Sequence, residues 1–489
     1  MIKEKLLNPT IKILLSGAIL LTLVNCSDNE TIGKQVTDPD PDPSEESQRL
    51  SIFYINDQHG QLDNFAKIKH IVDAARDTTN ALLVCAGDMF SGNPIVDQYS
   101  QKGYPMIDIM NKTGFDVSVL GNHEFDYGTD VLKQRVEQAE FEWVCANVDM
   151  QESGVEQPEA YTTISLNNLN ITFLGLVETN GKPDDVIPAT HPWRVEQLKF
   201  QRFEEITERY ARTGEEENAD VYVALTHLGQ GSDIYLAENF PYFDVIIGGH
   251  SHQVVDRVVN GVPIVQAGSY LNYLGRIDMT LTDGQVTSSR VSLTDLNEYA
   301  QVDDDLQSVI EDYNTAPEFD EVVGYANSHH ARDELGCFYT NALKEYMEVD
   351  ASFQNSGGIR SSIDQGDITA LEIFNMDPFN NGSVIFTMTA KEVKDFFIET
   401  RAGVHVSGIT LEQTQGDLII RNENGLEMSD GDVITIGLND YIPAVYDQYF
   451  PLEKADIQSL TTAETVIEYL KTVNSIVDDE GCNRFFSYD

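Results

Sequence analysis

The chain has 489 residues, more than one hydrophobic core usually organises, and 41% of them are hydrophobic, so two ordinary globular domains are expected. A formal net charge of −50 excludes binding of a nucleic-acid polymer by counterion release, which needs a basic surface. A small anionic substrate is not excluded, because it needs only a local positive site, and metal ions can supply one.

The first 26 residues stand apart from the rest. Lys3, Lys5 and Lys12 precede an apolar run from Ile13 to Val24 that is too short for a comfortable membrane span and fits a signal peptide. The run ends in Leu23-Val24-Asn25-Cys26, which resembles the lipobox of bacterial lipoproteins, where the cysteine carries lipid and becomes the new N-terminus. Residues 27–48 follow with almost no large apolar side chains and include Asp38-Pro39-Asp40-Pro41-Asp42-Pro43. Proline alternating with like charges keeps such a segment extended, as a tether. Ser27-Asp28-Asn29-Glu30 also resembles the acidic signal of some surface-exposed lipoproteins. The expected location is the outer membrane, on its periplasmic or outer side. Of the other cysteines, Cys85 and Cys145 lie in apolar strand-like runs and read as buried free thiols, while the spacing of Cys337 and Cys482 leaves their redox state open.

From residue 49 to about 300 the chain repeats a short apolar run, then Gly, His, Asp or Asn, then a helical pattern, which predicts a layered α/β domain. Residues 301–324 turn acidic and polar, with Asp303-Asp304-Asp305 opening a helix and Pro317 near its end, and read as the domain connection. A second mixed α/β domain is expected over 325–489.

Five apolar runs of the first domain end in possible metal ligands. Leu50 to Ile55 leads into Asp57-Gln58-His59-Gly60, Leu82 to Ala86 into Gly87-Asp88, and Val117 to Leu120 into Gly121-Asn122-His123-Glu124-Phe125-Asp126. Val221 to Leu225 leads into Thr226-His227, and Val245 to Ile247 into Gly248-Gly249-His250-Ser251-His252. One such tail is ordinary, because an Asp or Asn after a strand often caps a helix. Five in this order ask for a common reason, and parallel strands would bring their C-terminal ends to one rim. Two divalent cations roughly 3.5–4 Å apart need imidazoles, carboxylates, a neutral carbonyl oxygen and one carboxylate that bridges. Asp57, His59 and His252 suit one ion, Asn122, His227 and His250 the other, and Asp88 the bridge. Such a set accepts Zn, Mn, Co or Fe.

These blocks resemble the signature of calcineurin-like metallophosphoesterases, and the extended block from Gly121 to Asp126 resembles the 5′-nucleotidase and UDP-sugar hydrolase branch. The resemblance implies a four-layer α/β (α+β) sandwich followed by a mixed α/β substrate-binding domain. It also implies a catalytic dyad of His123 and Asp126 that binds no metal, in which Asp126 orients the imidazole and His123 stabilises charge on the transferring phosphoryl group or leaving oxygen.

In the second domain, Asn355-Ser356-Gly357-Gly358-Ile359-Arg360 resembles the family's Asn-x-Gly-Gly-x-Arg block, implying substrate contacts from Asn355, Gly358 and Arg360, the last facing phosphate. Pro378-Phe379 and Asn439-Asp440-Tyr441 resemble the blocks whose aromatic rings clamp the base, which implies Phe379 and Tyr441 as the two faces of a slot. Asp447 stands at the spacing of the family's ribose-binding aspartate, but the glycines usual around it are replaced by Val445, Tyr446, Gln448 and Tyr449. A second departure is Leu335-Gly336-Cys337-Phe338 in place of Leu-Gly-Asn-Leu, and the nearby Arg332 is out of register for phosphate.

The expected activity is hydrolysis of extracellular nucleoside 5′-monophosphates, with 2′,3′-cyclic nucleotides and UDP-sugars or other pyrophosphates as alternatives served by the same metals. A binding protein that kept the fold and lost turnover predicts decay of the metal blocks, and none has decayed. Replacing Cys26 by Ser is expected to release the chain from the membrane fraction, because the tether has no apolar surface with which to hold on. Retention of that variant on membranes in high salt would contradict a lipid anchor.

Overall fold

The computed structural model describes residues 47–316, 319–474 and 485–488. The signal sequence, Cys26 and nearly all of the tether lie outside the described residues, as does Cys482. Among the described residues no helix is long and apolar enough to cross a membrane.

Near-continuous apolar strands are what a parallel sheet covered on both faces requires. The strand Ser47–Ile55 shows how the alternation is used. Leu50, Ile52 and Tyr54 pack between two sheets, and Phe53 and Ile55 pack outward under helices. The strand takes in Ser47 and Gln48, two residues assigned to the tether, because they continue the antiparallel register onto Thr282 and Leu281.

The first sheet runs Gln285–Asp295, Tyr273–Thr282, Ser47–Ile55, Asn80–Cys85, Val117–Val119, Glu142–Val144, and its last four strands are parallel. The second runs Val254–Val259, Val262–Ala267, Val245–Ile247, Val221–His227, Leu169–Val177, Tyr161–Leu166, with the four central strands parallel. Between them lies a core of Ile52, Val84, Val119, Phe173, Val223 and Ile247, among others. Helices Phe65–Arg76 and Tyr104–Thr113 cover the outer face of the first sheet, and helix Gln230–Asn239 lies on the outer face of the second. This is a four-layer α/β sandwich.

Helix Asp304–Asn314 starts where the Asp303 carboxylate accepts from Leu306 N at 2.8 Å, and it buries Leu306 and Ile310 in the core outside the first sheet. The C-terminal half is built on a mixed sheet in the order Asp456–Thr461, Gly382–Thr389, Val433–Asn439, Ala351–Asn355, Val404–Ser407, Phe485–Phe486. Three helices pack around it from starts written in the sequence. Thr369/Glu372, Thr389/Glu392 and Thr461/Glu464 are all reciprocal capping boxes. Cys85 and Cys145 are free and buried, and Cys337 is disulfide-bonded.

Ile52 is fully buried between the sheets. Its replacement by Ala is expected to cost about 2–5 kcal/mol, read from the denaturant midpoint at unchanged slope. A loss below about 0.5 kcal/mol would show that the two sheets do not pack there.

Candidate active site

The parallel strands of both sheets end on one rim, and their loops are tied together by backbone hydrogen bonds. Asp57 N donates to Gly87 O at 3.0 Å and His59 N to Asp88 O at 3.1 Å. Asp57, His59, Asp88, His250 and His252 all hold positive φ, between 48° and 75°. Non-glycine residues rarely adopt this conformation, and its concentration here marks a functional constraint. Gly249 permits one close approach at this rim. A side chain there would meet Ala86 O at 2.6 Å and His227 Nδ1 at 2.8 Å.

The ligand atoms converge in two groups that share one carboxylate. Asp57, His59, Asp88 and His252 form one group and Asp88, His227 and His250 the other, each with its atoms within 4.8 Å of one another. His227 gives its Nδ1 side to Ala86 O at 2.7 Å and His59 gives its Nδ1 side to Ser91 O at 3.0 Å, which leaves both Nε2 atoms for the centre. His59 Nε2 lies 3.0 Å from His252 Nε2. His227 Nε2 lies 2.9 Å from Asp88 Oδ2 but without hydrogen-bond geometry, so this buried nitrogen points at shared space. Asn122 donates its amide to Ala189 O at 3.1 Å, and its Oδ1 lies 3.0 Å from His250 Nδ1. Burial pushes Asp57 up to about 6 and the imidazoles of His250 and His252 down to about 4 and about 3, whereas at His227 burial is overcome by Asp88 and Asp57, which raise that imidazole to about 10. Neutral imidazole is the metal-binding form. Buried imidazoles, carboxylates and an amide oxygen fit divalent cations.

Beside this centre, His123 Nδ1 pairs with Asp126 Oδ2 at 2.6 Å, and His123 Nε2 lies 3.9 Å from Asp88 Oδ2. Asp126 Oδ1 accepts from Thr190 Oγ1 at 2.7 Å and from Arg194 Nη1 at 3.3 Å. Burial raises a carboxyl, yet His123 and Arg194 hold Asp126 down at about 2. The dyad opens on a cavity of about 210 Å³ whose lining includes Asp88, Asn122, His123, Arg194, Asn355, Gly358, Arg360, Phe379 and Tyr441. Arg360 Nη2 reaches within 3.0 Å of His59 Nε2. Phe379 stacks on the His123 imidazole with centroids 5.6 Å apart, and Tyr441 meets His191 edge-on at 5.3 Å.

Residues 50–254 match the family model for calcineurin-like phosphoesterases, and residues 315–439 match that for the C-terminal domain of 5′-nucleotidases. The chain belongs to the 5′-nucleotidase family of metallophosphoesterases. A 5′-nucleotidase of Vibrio vulnificus is 26% identical to it over 486 residues, covering 83% of this chain and 85% of that one. The trifunctional nucleotide phosphoesterase YfkN of Bacillus subtilis is 28% identical over 467 residues, and the endonuclease YhcR of the same organism is 25% identical over 489. The aligned region spans only 32% and 40% of those two proteins. The crystal structure of a 5′-nucleotidase precursor from Thermus thermophilus has the same fold, with a TM-score of 0.79 at 21% identity over 88% of this chain and 97% of that one.

In this family member the structure brings together the ligand residues, the dyad and, from the C-terminal domain, Asn355, Gly358, Arg360, Phe379 and Tyr441. Asp447 is not among them. Tyr446 and Tyr449 pack against Phe396, at 5.3 and 5.7 Å, and these bulky anchors turn Asp447 outward, where it pairs with Lys182 at 3.0 Å.

Several working residues escaped the sequence reading. Asn56 accepts from Ala267 N and donates to Gly268 O, both at 2.7 Å, which stitches the two sheets beside the metal centre. The buried Glu124 accepts the amides of Asp88 at 3.0 Å and Met89 at 2.7 Å, together with that of Gly121. Thr190 and Arg194 hold Asp126 from a loop with no spacing signal. Their positions in Asn56-Asp57 and Asn122-His123-Glu124 make Asn56 and Glu124 the two that adjacency could have flagged.

Because both ligand groups use Asp88, Asp88→Ala is expected to abolish activity and to lower bound metal, which elemental analysis of the purified protein would measure. Full metal content with normal turnover would contradict the shared-ligand role.

Proposed function

We propose that the chain is a dinuclear-metal phosphohydrolase that acts as a 5′-nucleotidase, releasing phosphate from nucleoside 5′-monophosphates. The observation that carries this reading is one cleft in which the shared Asp88 ligand, the His123–Asp126 pair, Arg360 and the rings of Phe379 and Tyr441 all face the same space. The 5′-nucleotidase names of two relatives matched over 85% and 79% of their own length support it. Asp57, His59 and His252 would hold one ion, Asn122, His227 and His250 the other, with Asp88 between them. The ions would be Zn, Mn, Co or Fe as availability decides. Bound there, divalent cations supply Lewis-acid charge for a phosphoryl group and activate water.

The chain's own residues do the rest. Arg360 binds phosphate oxygens through its planar donors. Asp126 fixes the His123 tautomer, so that Nε2 faces the cleft. Burial lowers the His123 imidazole, but Asp88 and Asp126 more than offset this and raise it above its ordinary value, which favours the form that donates to a developing oxyanion. Phe379 and Tyr441 offer aromatic surface to the leaving group. The same reading divides the chain at residues 301–324 and places the protein at the outer membrane, held by lipid on Cys26, which the sequence of residues 1–48 supports.

A phosphate-release screen over nucleoside monophosphates, cyclic nucleotides and nucleotide sugars with added Mn or Zn tests the reading, and the monophosphates are expected to be the best substrates. His123→Ala should lower kcat by roughly 10²–10⁴-fold while metal content stays near that of the wild type. Loss of metal without a change in activity per bound metal would contradict the dyad.

A further inference from the structure

Among the described residues, Arg194 and Arg360 are the only lysine or arginine side chains lining the cleft, one from each half of the chain. Arg360 reaches the metal-ligand side, within 3.0 Å of His59 Nε2. Arg194 stands beside the dyad, against Asp126. Asp126 has closer partners, His123 at 2.6 Å and Thr190 at 2.7 Å, and the Arg194 contact is the longest of the three at 3.3 Å. That contact occupies one of five guanidinium donors, and it is the single side-chain hydrogen bond of Arg194 among the described residues.

The position is nevertheless fixed. Asn122 grips the loop at Ala189, Thr190 is buried, and Arg194 N donates to His191 O at 2.9 Å. The carboxylates lining the cleft are Asp88 and Asp126, both already engaged, and Asp447 is turned away to Lys182. A guanidinium held in place with spare donors, next to the group that serves the leaving oxygen, is a seat for an anion on the leaving group.

We propose that Arg194 extends the activity to phosphoric anhydrides, by binding the non-bridging oxygens of a second phosphoryl group on the leaving side of a nucleoside diphosphate or nucleotide sugar. This rests on the phosphohydrolase reading above. For a nucleoside diphosphate, the oxygen of water adds to the terminal phosphorus and the bond from that phosphorus to the bridging oxygen breaks. The bridging oxygen keeps the electron pair. The products are inorganic phosphate and a nucleoside monophosphate, with one proton released to solvent. Arg194 meets the charge that gathers on the departing phosphoryl group. A monophosphate or a simple aryl phosphate has no such group for it to meet.

The test is kcat/KM of the metal-loaded wild type, Arg194→Gln and Arg194→Lys on ADP, AMP and a small aryl phosphate. Arg194→Gln is expected to lower the preference for ADP over the aryl phosphate by about 10- to 100-fold, as for loss of a charge-assisted hydrogen bond, and Arg194→Lys to recover part of that preference. Equal losses on all three substrates would overturn the proposal and leave Arg194 as a support for Asp126. A wild type that hydrolyses AMP but not ADP would overturn it too, with the nucleotidase reading intact. If none of the three is hydrolysed, the phosphohydrolase reading falls with it.

Discussion

Two buried carboxylates, Asp57 and Asp88, share a small volume with the imidazoles of His59, His227, His250 and His252, and the rest of the first domain is arranged around that crowding. Groups of this kind lose their water on burial and need compensating charge. The two sheets supply the geometry. Each ends parallel strands at the same rim, and Asn56 ties the rim together by hydrogen bonds to Ala267 and Gly268 on the opposite sheet. The cost is visible in the backbone, where five ligand residues sit at positive φ. Outer partners then set each ring, Ala86 for His227 and Ser91 for His59.

The second half of the chain contributes a different chemistry to the same cleft. Its sheet ends in neutral amides linked to one another, with Asn439 Nδ2 donating to Gln354 at 2.7 Å and to Asn355 at 2.9 Å. Arg360 and Phe379 project from the loops that follow, and the Phe379 ring stacks on the His123 imidazole with centroids 5.6 Å apart. The candidate metal ligands and the side chains of Arg360 and Phe379 are thus carried by separate parts of the chain and face one cleft. On the proposed function, this separation would let substrate choice change without disturbing the metal centre.

The convergence of the candidate metal ligands was legible because each is a chemically distinctive residue directly after an apolar strand, and a parallel sheet gathers strand ends by construction. The Thr-x-x-Glu capping boxes, first seen in the structure, are an equally local signal, since they act within four residues. Residues that work across long sequence distances were not. Thr190 and Arg194 serve Asp126 over 64 and 68 residues, and Asn56 joins strands more than 200 residues apart, with nothing in the local pattern to announce either. Asp447 shows the converse. Its spacing matched a known block, but Tyr446 and Tyr449 seek apolar neighbours, and their packing on Phe396 decides where the aspartate between them points.

The central claim is that Asp88 is the ligand shared by two cation sites. The most direct measurement is a crystal structure grown with Mn²⁺ and read from its anomalous difference map. The account predicts two peaks flanking Asp88, one against Asp57, His59 and His252 and the other against Asn122, His227 and His250. A single peak that leaves one of these groups without an ion, or no peak at Asp88 under saturating metal, would contradict it.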